Sequence, residues 1–484
     1  MTTLPAGSPD VPATPATDTA TAAATGSAAG TAAPGTATSA SGSGPALIYG
    51  IDDRPPLGRS LLLGAQQVLV SNVWLDALFI AGVGGLSAGL ATSLVTITFL
   101  AAGLTTLVQT LRLVRLPIVE GPSSAFDAMA ISAARSGSLA VASTGLIIAA
   151  AIVLLASVTG VLHRIRSVFT PAVTGTVLVL VGLLLAQFTF LEFFGGDTAS
   201  PDFATPATLG LALATTVTVV VCGYLLPGGR ARTVSFLVAL VVGDLLALAA
   251  GRLDFAQVGR AAWFALPDPL PYGALSFDLG VTVVMTVIFL AAVAEAIGTY
   301  QAVAELTGEE LTGRRLSGGV AGEAAGSMVA GFFGGFGTTA YAQNLGLMKL
   351  TRVASRHTVR IAAVMMILLA FSPKVAAVLV ATPAPVVGGL FLPAAATVVF
   401  SGVSTLGRIG RDDERSALVA AVALMAGLGV PALGEPLLKA LPGTLADLTS
   451  QGIVVGTVTA VVLQLLLVNA PSWRPRGTRP ADRS

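Results

Sequence analysis

From about residue 61 to residue 470 the sequence is a succession of apolar stretches, broken by short polar connections that carry most of the arginines. Most stretches are long enough to cross a hydrocarbon layer. Few folds are open to such a chain. Lipid cannot satisfy backbone polar groups, so each segment must close its own hydrogen bonds, and a helix does this within one segment. Composition points the same way. The chain is 54% hydrophobic and 11% charged, where a soluble domain carries about 25% charge. These observations predict an all-α polytopic membrane protein.

The segments fall at about 61–82, 88–108, 113–131, 138–161, 168–190, 206–226, 231–250, 279–303, 317–333, 335–351, 357–380, 384–406, 415–432 and 451–470. With the N-terminus inside, 21 Lys and Arg lie on the cytoplasmic side and 5 on the outer side. This asymmetry supports fourteen spans in the cell membrane with both termini cytoplasmic. Residues 1–45 are almost only Ala, Thr, Gly, Ser and Pro. They read as a disordered cytoplasmic tail rather than a signal peptide. Residues 471–484 form a second cytoplasmic tail.

Several functions are excluded early. A net charge of +1 argues against a nucleic-acid partner. Cys222 is alone, so no internal disulfide forms. His163 and His357 lie beside arginines in expected loops and are too few for a metal site. No metal, cofactor or catalytic nucleophile–histidine pair is expected, and no enzyme.

The third and tenth segments are interrupted and alike. Ser123-Ser124-Ala125-Phe126 follows Gly121, and Thr338-Thr339-Ala340-Tyr341 follows Gly337. Seven spans separate them, which places them in opposite orientations, as 7+7 inverted repeats require. Hydroxyl and β-branched residues suit short extended runs. We therefore expect two short strands meeting near the bilayer centre, each followed by a helix start that aims N–H groups at a ligand.

Glu295 lies in an otherwise apolar run, Phe289 to Ala294. Intramembrane acids are functional by default. Burial favours the neutral form of any carboxyl group, which suits proton coupling. A carboxylate can also accept ring N–H groups of a flat heterocycle, and Gln343 offers the donor and acceptor that an amide–imide edge needs. Asp127 directly follows the first strand motif and is a candidate for a site or gating role. Asp76 and Asp244 read as helix-end or interface residues, and Glu323 as a cap or partner at the start of the ninth segment. Phe126 and Tyr341 could stack on a planar substrate.

The run Gln343-Asn344-Leu345-Gly346-Leu347-Met348-Lys349-Leu350-Thr351-Arg352 resembles the signature of the nucleobase–ascorbate transporters: Gln or Glu, Asn, any residue, Gly, four residues, Thr, then a basic residue or Gly. Ala294-Glu295-Ala296-Ile297-Gly298 resembles that family's eighth-segment acid motif, and Gly64-Ala65-Gln66-Gln67-Val68-Leu69 its first-segment motif. Pro373-Lys374 and the run Pro383 to Gly389 resemble later motifs. The likeness spans roughly residues 60–470.

The resemblance implies a core domain (60–161 and 279–380) and a gate domain (168–250 and 384–470). It implies a homodimer that imports a nucleobase with protons by elevator-like motion. Gln343 at the first signature position implies a purine of the xanthine or urate kind. Glu295 and Gln343 would bind the base, Asn344 and Thr299 would support them, and Ala125, Phe126 and Ala342 would line the pocket. Glu295 and Asp127 would serve proton coupling. Three positions depart from the family pattern: Gln67 where His is usual, Ser124 where an aromatic is usual, and Thr299 where Asp or His is common. They bear on substrate choice. Uracil or an anion on the same scaffold is the alternative, and a non-transporting membrane sensor is an alternative of another class.

Overall fold

A computed structural model describes residues 47–161, 166–226, 234–341 and 343–470. Both expected tails, His163 and Ala342 lie outside the described residues. Among the described residues, the regular structure is helical apart from two short strands. Helices α1 (Leu57–Ser71) and α2 (Val73–Gly84) precede α3 (Ala88–Leu111). Strand β1 (Glu120–Pro122) follows, with a tight turn at Ser124–Phe126, then α4 (Asp127–Ser136) and α5 (Leu139–Val158). Next come α6 (Pro171–Leu184), α7 (Ala186–Phe193), α8 (Pro206–Val220) and α9 (Ser235–Ala249). Helices α10 (Leu279–Thr307) and α11 (Gly313–Phe332) lead to β2 (Thr338–Ala340) and α12 (Gln343–Thr351). The remaining long elements are α13 (Arg356–Ala370), α14 (Pro373–Val380), α15 (Ala384–Leu406), α16 (Glu414–Ala432) and α17 (Gly452–Leu463).

The boundaries follow from local chemistry. Ser87, Asp278, Thr312 and Ser355 each accept a backbone N–H from the helix they start. Gly137 and Gly308 end α4 and α10 in the left-handed conformation. Asn72 separates α1 from α2 at φ 51°, a backbone state that Asn tolerates better than most residues. The first expected span is therefore broken there. The eleventh is broken too, because α13 and α14 meet at 85°. His357 sits in the first turn of α13 rather than in a loop.

Among the described residues, nine helices are long and apolar enough to cross a membrane, or ten if the bent α13–α14 pair counts as one span. The other four expected segments fall short for physical reasons. Helix α9 has only 15 residues. Helix α11 carries Arg314, Arg315 and Glu323 among its glycines. The third and tenth segments are each a strand followed by a half-helix.

The two strands pair antiparallel, with Gly121 opposite Thr339. Two further backbone bonds extend the ladder, from Tyr341 N–H to the Val119 carbonyl at 2.9 Å and from Ser123 N–H to the Gly337 carbonyl at 2.8 Å. Every strand residue is buried. Extended backbone survives away from water only when it is paired in this way. Strand β2 lies where the hydroxyl motif places it. Strand β1 does not: it ends at Pro122, and Ser124–Phe126 form the turn that follows. Ser123 and Ser124 therefore begin the path into α4, whereas Thr338 and Thr339 are inside their strand.

The helices form two sets, and the strands lie against α2, α3, α10 and α11 of the first. In one, α11 and α10 lie against α5, while α1 and α3 lie against α13. In the other, α15 packs on α6, α7 and α8, α9 on α8, and α16 on α17. Aromatic rings from α2 and α15, Phe79 and Phe391, stack with centroids 3.7 Å apart.

Glycine is required where the strands meet aromatic rings. A Cβ on Gly337 would sit 2.3 Å from the Phe126 ring, and one on Gly121 would sit 2.6 Å from the Tyr341 ring. Both contacts are with packed aromatic rings, so neither neighbour can yield cheaply. Gly337→Ala should therefore destabilise the protein by about 1–3 kcal/mol. Thermal unfolding of the detergent-purified protein checks this, and an unchanged midpoint would show that the ring can move away.

Candidate functional site

Glu295 lies midway along α10 and is half-buried. Its carboxylate accepts a hydrogen bond from Ser123 Oγ at 3.1 Å. Ser123 is the first residue after β1, so the strand sets the position of this donor. Gly298, one turn along α10, has open space beside it, as has Gly346 on α12. Gln343 at the start of α12 is exposed. An open acid-bearing helix face and a free amide at a half-helix N-terminus are thus both available to a ligand.

Asp76 is the centre of the neighbouring network. It accepts from Ser124 Oγ at 2.9 Å and from the Tyr341 hydroxyl at 2.9 Å. The same Tyr341 hydroxyl also lies 2.8 Å from the Pro122 carbonyl. Asp127, buried in the first turn of α4, is a hydrogen-bond neighbour of Asp76 and within electrostatic reach of Glu295. A carboxyl at a helix N-terminus is favoured by the helix dipole. Three acids from α2, α4 and α10 therefore share one region, and Glu295 is not alone as its own segment suggests.

Gln67 and Asn344 are joined directly. Asn344 Nδ2 donates to Gln67 Oε1 at 2.6 Å and to the Gln67 carbonyl at 3.0 Å. Both residues are buried. The pair ties α1 to the start of α12, so the Gln that replaces a usual His acts on the signature helix. Thr299 is buried, and its hydroxyl bonds back to the Glu295 carbonyl of its own helix at 3.3 Å. It supports the helix at Glu295 without reaching the carboxylate.

Ser124 and Ala125 line a cavity of about 190 Å³ together with Ala128, Ser132, Phe188 and Gln451. One water needs roughly 10–15 Å³, so there is room for a small molecule. The cavity lies between α4 and the α6–α7 pair. Phe126 does not offer its ring here. It is fully buried, meets Phe289 edge-on at 5.8 Å and covers Gly337. Tyr341 is likewise buried and committed to Asp76. Two aromatics expected to face a planar ligand are thus structural in this arrangement.

Three participants escape a sequence reading. Ser123 was visible as part of a motif but not as the partner of Glu295. Asp76 reads as a helix-end acid until the fold brings Ser124 and Tyr341 to it. Glu120 is the third: the sequence reading passes over it, although a charge inside an interrupted apolar segment is a signal that could have found it. Glu323 is not at the start of its segment but is buried midway along α11.

Removing one side of the Gln67–Asn344 pair should leave a buried amide unsatisfied, at a cost of about 1–3 kcal/mol. Gln67→Leu and Asn344→Leu should each lower thermal stability, and the double variant should lose less than the sum. Additive losses would show that the two amides act independently.

The comparisons with known proteins fit this geometry. Residues 58–435 match a family model described as a permease family. The xanthine permease of Bacillus subtilis is 30% identical over 85% of this chain and 94% of its own length. The xanthine permease XanP of Escherichia coli K12 is 31% identical over 87% of this chain and 94% of its own. Uric acid permease PucK of Bacillus subtilis is 28% identical over 83% of this chain and 94% of its own. Two solved structures share the fold. The transmembrane domain of the cyanobacterial bicarbonate transporter BicA superposes with TM-score 0.56 at 16% identity, over 86% of this chain and 99% of that one. The murine solute carrier 26 member A9 anion transporter, inward-facing, gives 0.57 at 11% identity, over 86% and 69%. The chain belongs to the nucleobase–ascorbate transporter family of multi-pass membrane permeases, and is a transporter rather than an enzyme.

Proposed function

We propose that this permease imports a purine nucleobase of the xanthine or urate kind across the cell membrane, driven by protons. The observation that carries the reading is Glu295, held by Ser123 beside an open helix face. A carboxylate there can accept ring N–H groups, and the exposed amide of Gln343 can complete the edge. Relatives named as xanthine and uric acid permeases support the substrate class.

In this reading Glu295 and Gln343 contact the base, and Asn344 and Gln67 fix the helix that presents Gln343. Thr299 steadies the turn that carries Glu295. Ser124 and Ala125 border the cavity through which a small molecule would pass. Ala342 would line the pocket. Asp127, next to Asp76 and near Glu295, would exchange protons with the site.

The motion follows the same logic. Helices α1–α5 and α10–α14 form the core, and α6–α9 and α15–α17 the gate. The core moves as an elevator against the gate. Fourteen spans with both termini cytoplasmic fit the arginine distribution. A homodimer would hold the gates fixed while each core moves.

Glu295→Gln removes the charge and keeps the shape. Radiolabelled xanthine uptake should fall to background while the protein stays in the membrane at normal abundance. Full uptake by this variant would remove Glu295 from the binding role.

A further inference from the structure

A second carboxyl pair lies away from the open face. Glu120 on β1 and Glu323 on α11 are both fully buried. The Tyr300 hydroxyl, from α10, lies 2.6 Å from Glu323 Oε1 and 3.4 Å from Glu120 Oε1. Gln109 of α3 donates to the Tyr300 oxygen at 2.9 Å and to the Gly319 carbonyl at 2.7 Å. The outer oxygens, Glu120 Oε2 and Glu323 Oε2, are buried without a protein partner. Neither acid joins an ion pair among the described residues.

The charge balance of this cluster is the argument. One hydroxyl proton cannot satisfy two ionised carboxylates. Two buried negative charges in contact repel strongly, and low polarity magnifies the cost. Carboxyl pairs in that position share a proton instead. Among the described residues, the elements packed around the pair supply no counter-charge: α10 offers Tyr300 and the more distant Glu295, α3 offers a neutral amide, and β2 offers only its backbone at Ala340. A metal ion fits poorly, because the surroundings are tight. A Cβ on Gly319 would lie 2.6 Å from the Tyr300 ring, and one on Gly322 would lie 3.0 Å from the Gln109 amide. A proton needs no such room.

We propose that Glu120 and Glu323 form a proton-binding site, separate from Glu295, that holds one proton between their two carboxyl groups. No bond other than O–H forms or breaks. The proton arrives from water, sits between the two unpartnered oxygens and leaves to water. The site communicates with the ligand region through β1. Glu120 begins the strand and Ser123, just past its end, bonds Glu295. Thr106 Oγ1 also accepts the Glu120 N–H at 2.8 Å, which fixes the strand to α3. When the proton leaves, repulsion pushes β1 from α11 and displaces Ser123. By reciprocity, a ligand that needs Ser123 in place tightens proton binding by the same factor.

The test is infrared spectroscopy of the purified protein in lipid nanodiscs at neutral pH, reading the carbonyl stretch of protonated carboxyl groups. Glu120→Gln and Glu323→Gln should each remove intensity worth one carboxyl, and Glu295→Gln should leave that intensity in place. Tyr300→Phe keeps both acids and should fold if either single variant does not. It should shift the band by removing the hydroxyl donor. A band unaltered by all of Glu120→Gln, Glu323→Gln and Tyr300→Phe would overturn the proposal. A second arm rests on the proposed function: Glu323→Gln should keep xanthine exchange but lose about tenfold or more in uphill accumulation, the scale of one coupling free energy. Unchanged accumulation would overturn the link to transport. Failure of the wild type to carry xanthine would count against the substrate reading alone, since the infrared result does not depend on it.

Discussion

The rest of the structure depends on six residues of extended backbone closed against each other inside a helical bundle. Strands β1 and β2 break two apolar segments where no water is available to their peptide groups. Antiparallel pairing satisfies those groups. Thr338 and Thr339 then bond to the Glu323 and Ala292 carbonyls of flanking helices, at 3.2 and 3.3 Å. The pair is thus pinned on both sides. Each strand leads into a half-helix, so the chain presents two helix starts within the bundle rather than at its ends. That is the feature from which a polar site can be built at membrane depth.

Acids collect around this frame and do different things. Glu295 is half-buried, one turn from the open space at Gly298, and bonds one serine. Asp76 is held by Ser124 and Tyr341, with Asp127 beside it. Glu120 and Glu323 are sealed behind Tyr300. The separation is geometric: the open acid has room for a ligand edge, whereas the sealed pair has room only for a proton. Phe126 and Tyr341, read from the sequence as candidates to stack on a planar substrate, instead pack on Gly337 and Gly121 and so hold the strands. Neither ring is therefore free to offer its face to a ligand.

Much of this is legible in the sequence. Long apolar segments, their basic connections and the two hydroxyl motifs fix a polytopic helical fold with interrupted third and tenth segments. The signature from Gln343 to Arg352 and the acid at Glu295 mark the family. Three kinds of information were not local. The broken first segment depends on a single left-handed Asn72, which hydropathy does not register. The start of β1 depends on its pairing with β2, because Glu120, Gly121 and Pro122 have weak intrinsic strand preference. The partners of Asp76, Glu120 and Gln67 come from residues 48 to 277 positions away. Such contacts exist only once the helices pack, so a one-dimensional reading finds the acids but not their pairing.

The most direct measurement is uptake of radiolabelled xanthine, urate, guanine, adenine and uracil into cells lacking their own carriers, at two external pH values, with and without a protonophore. The account predicts uptake of a purine base that rises at the lower pH and collapses with the protonophore. Uptake of uracil alone, uptake indifferent to the proton gradient, or no uptake of any base with the protein in the membrane would contradict it.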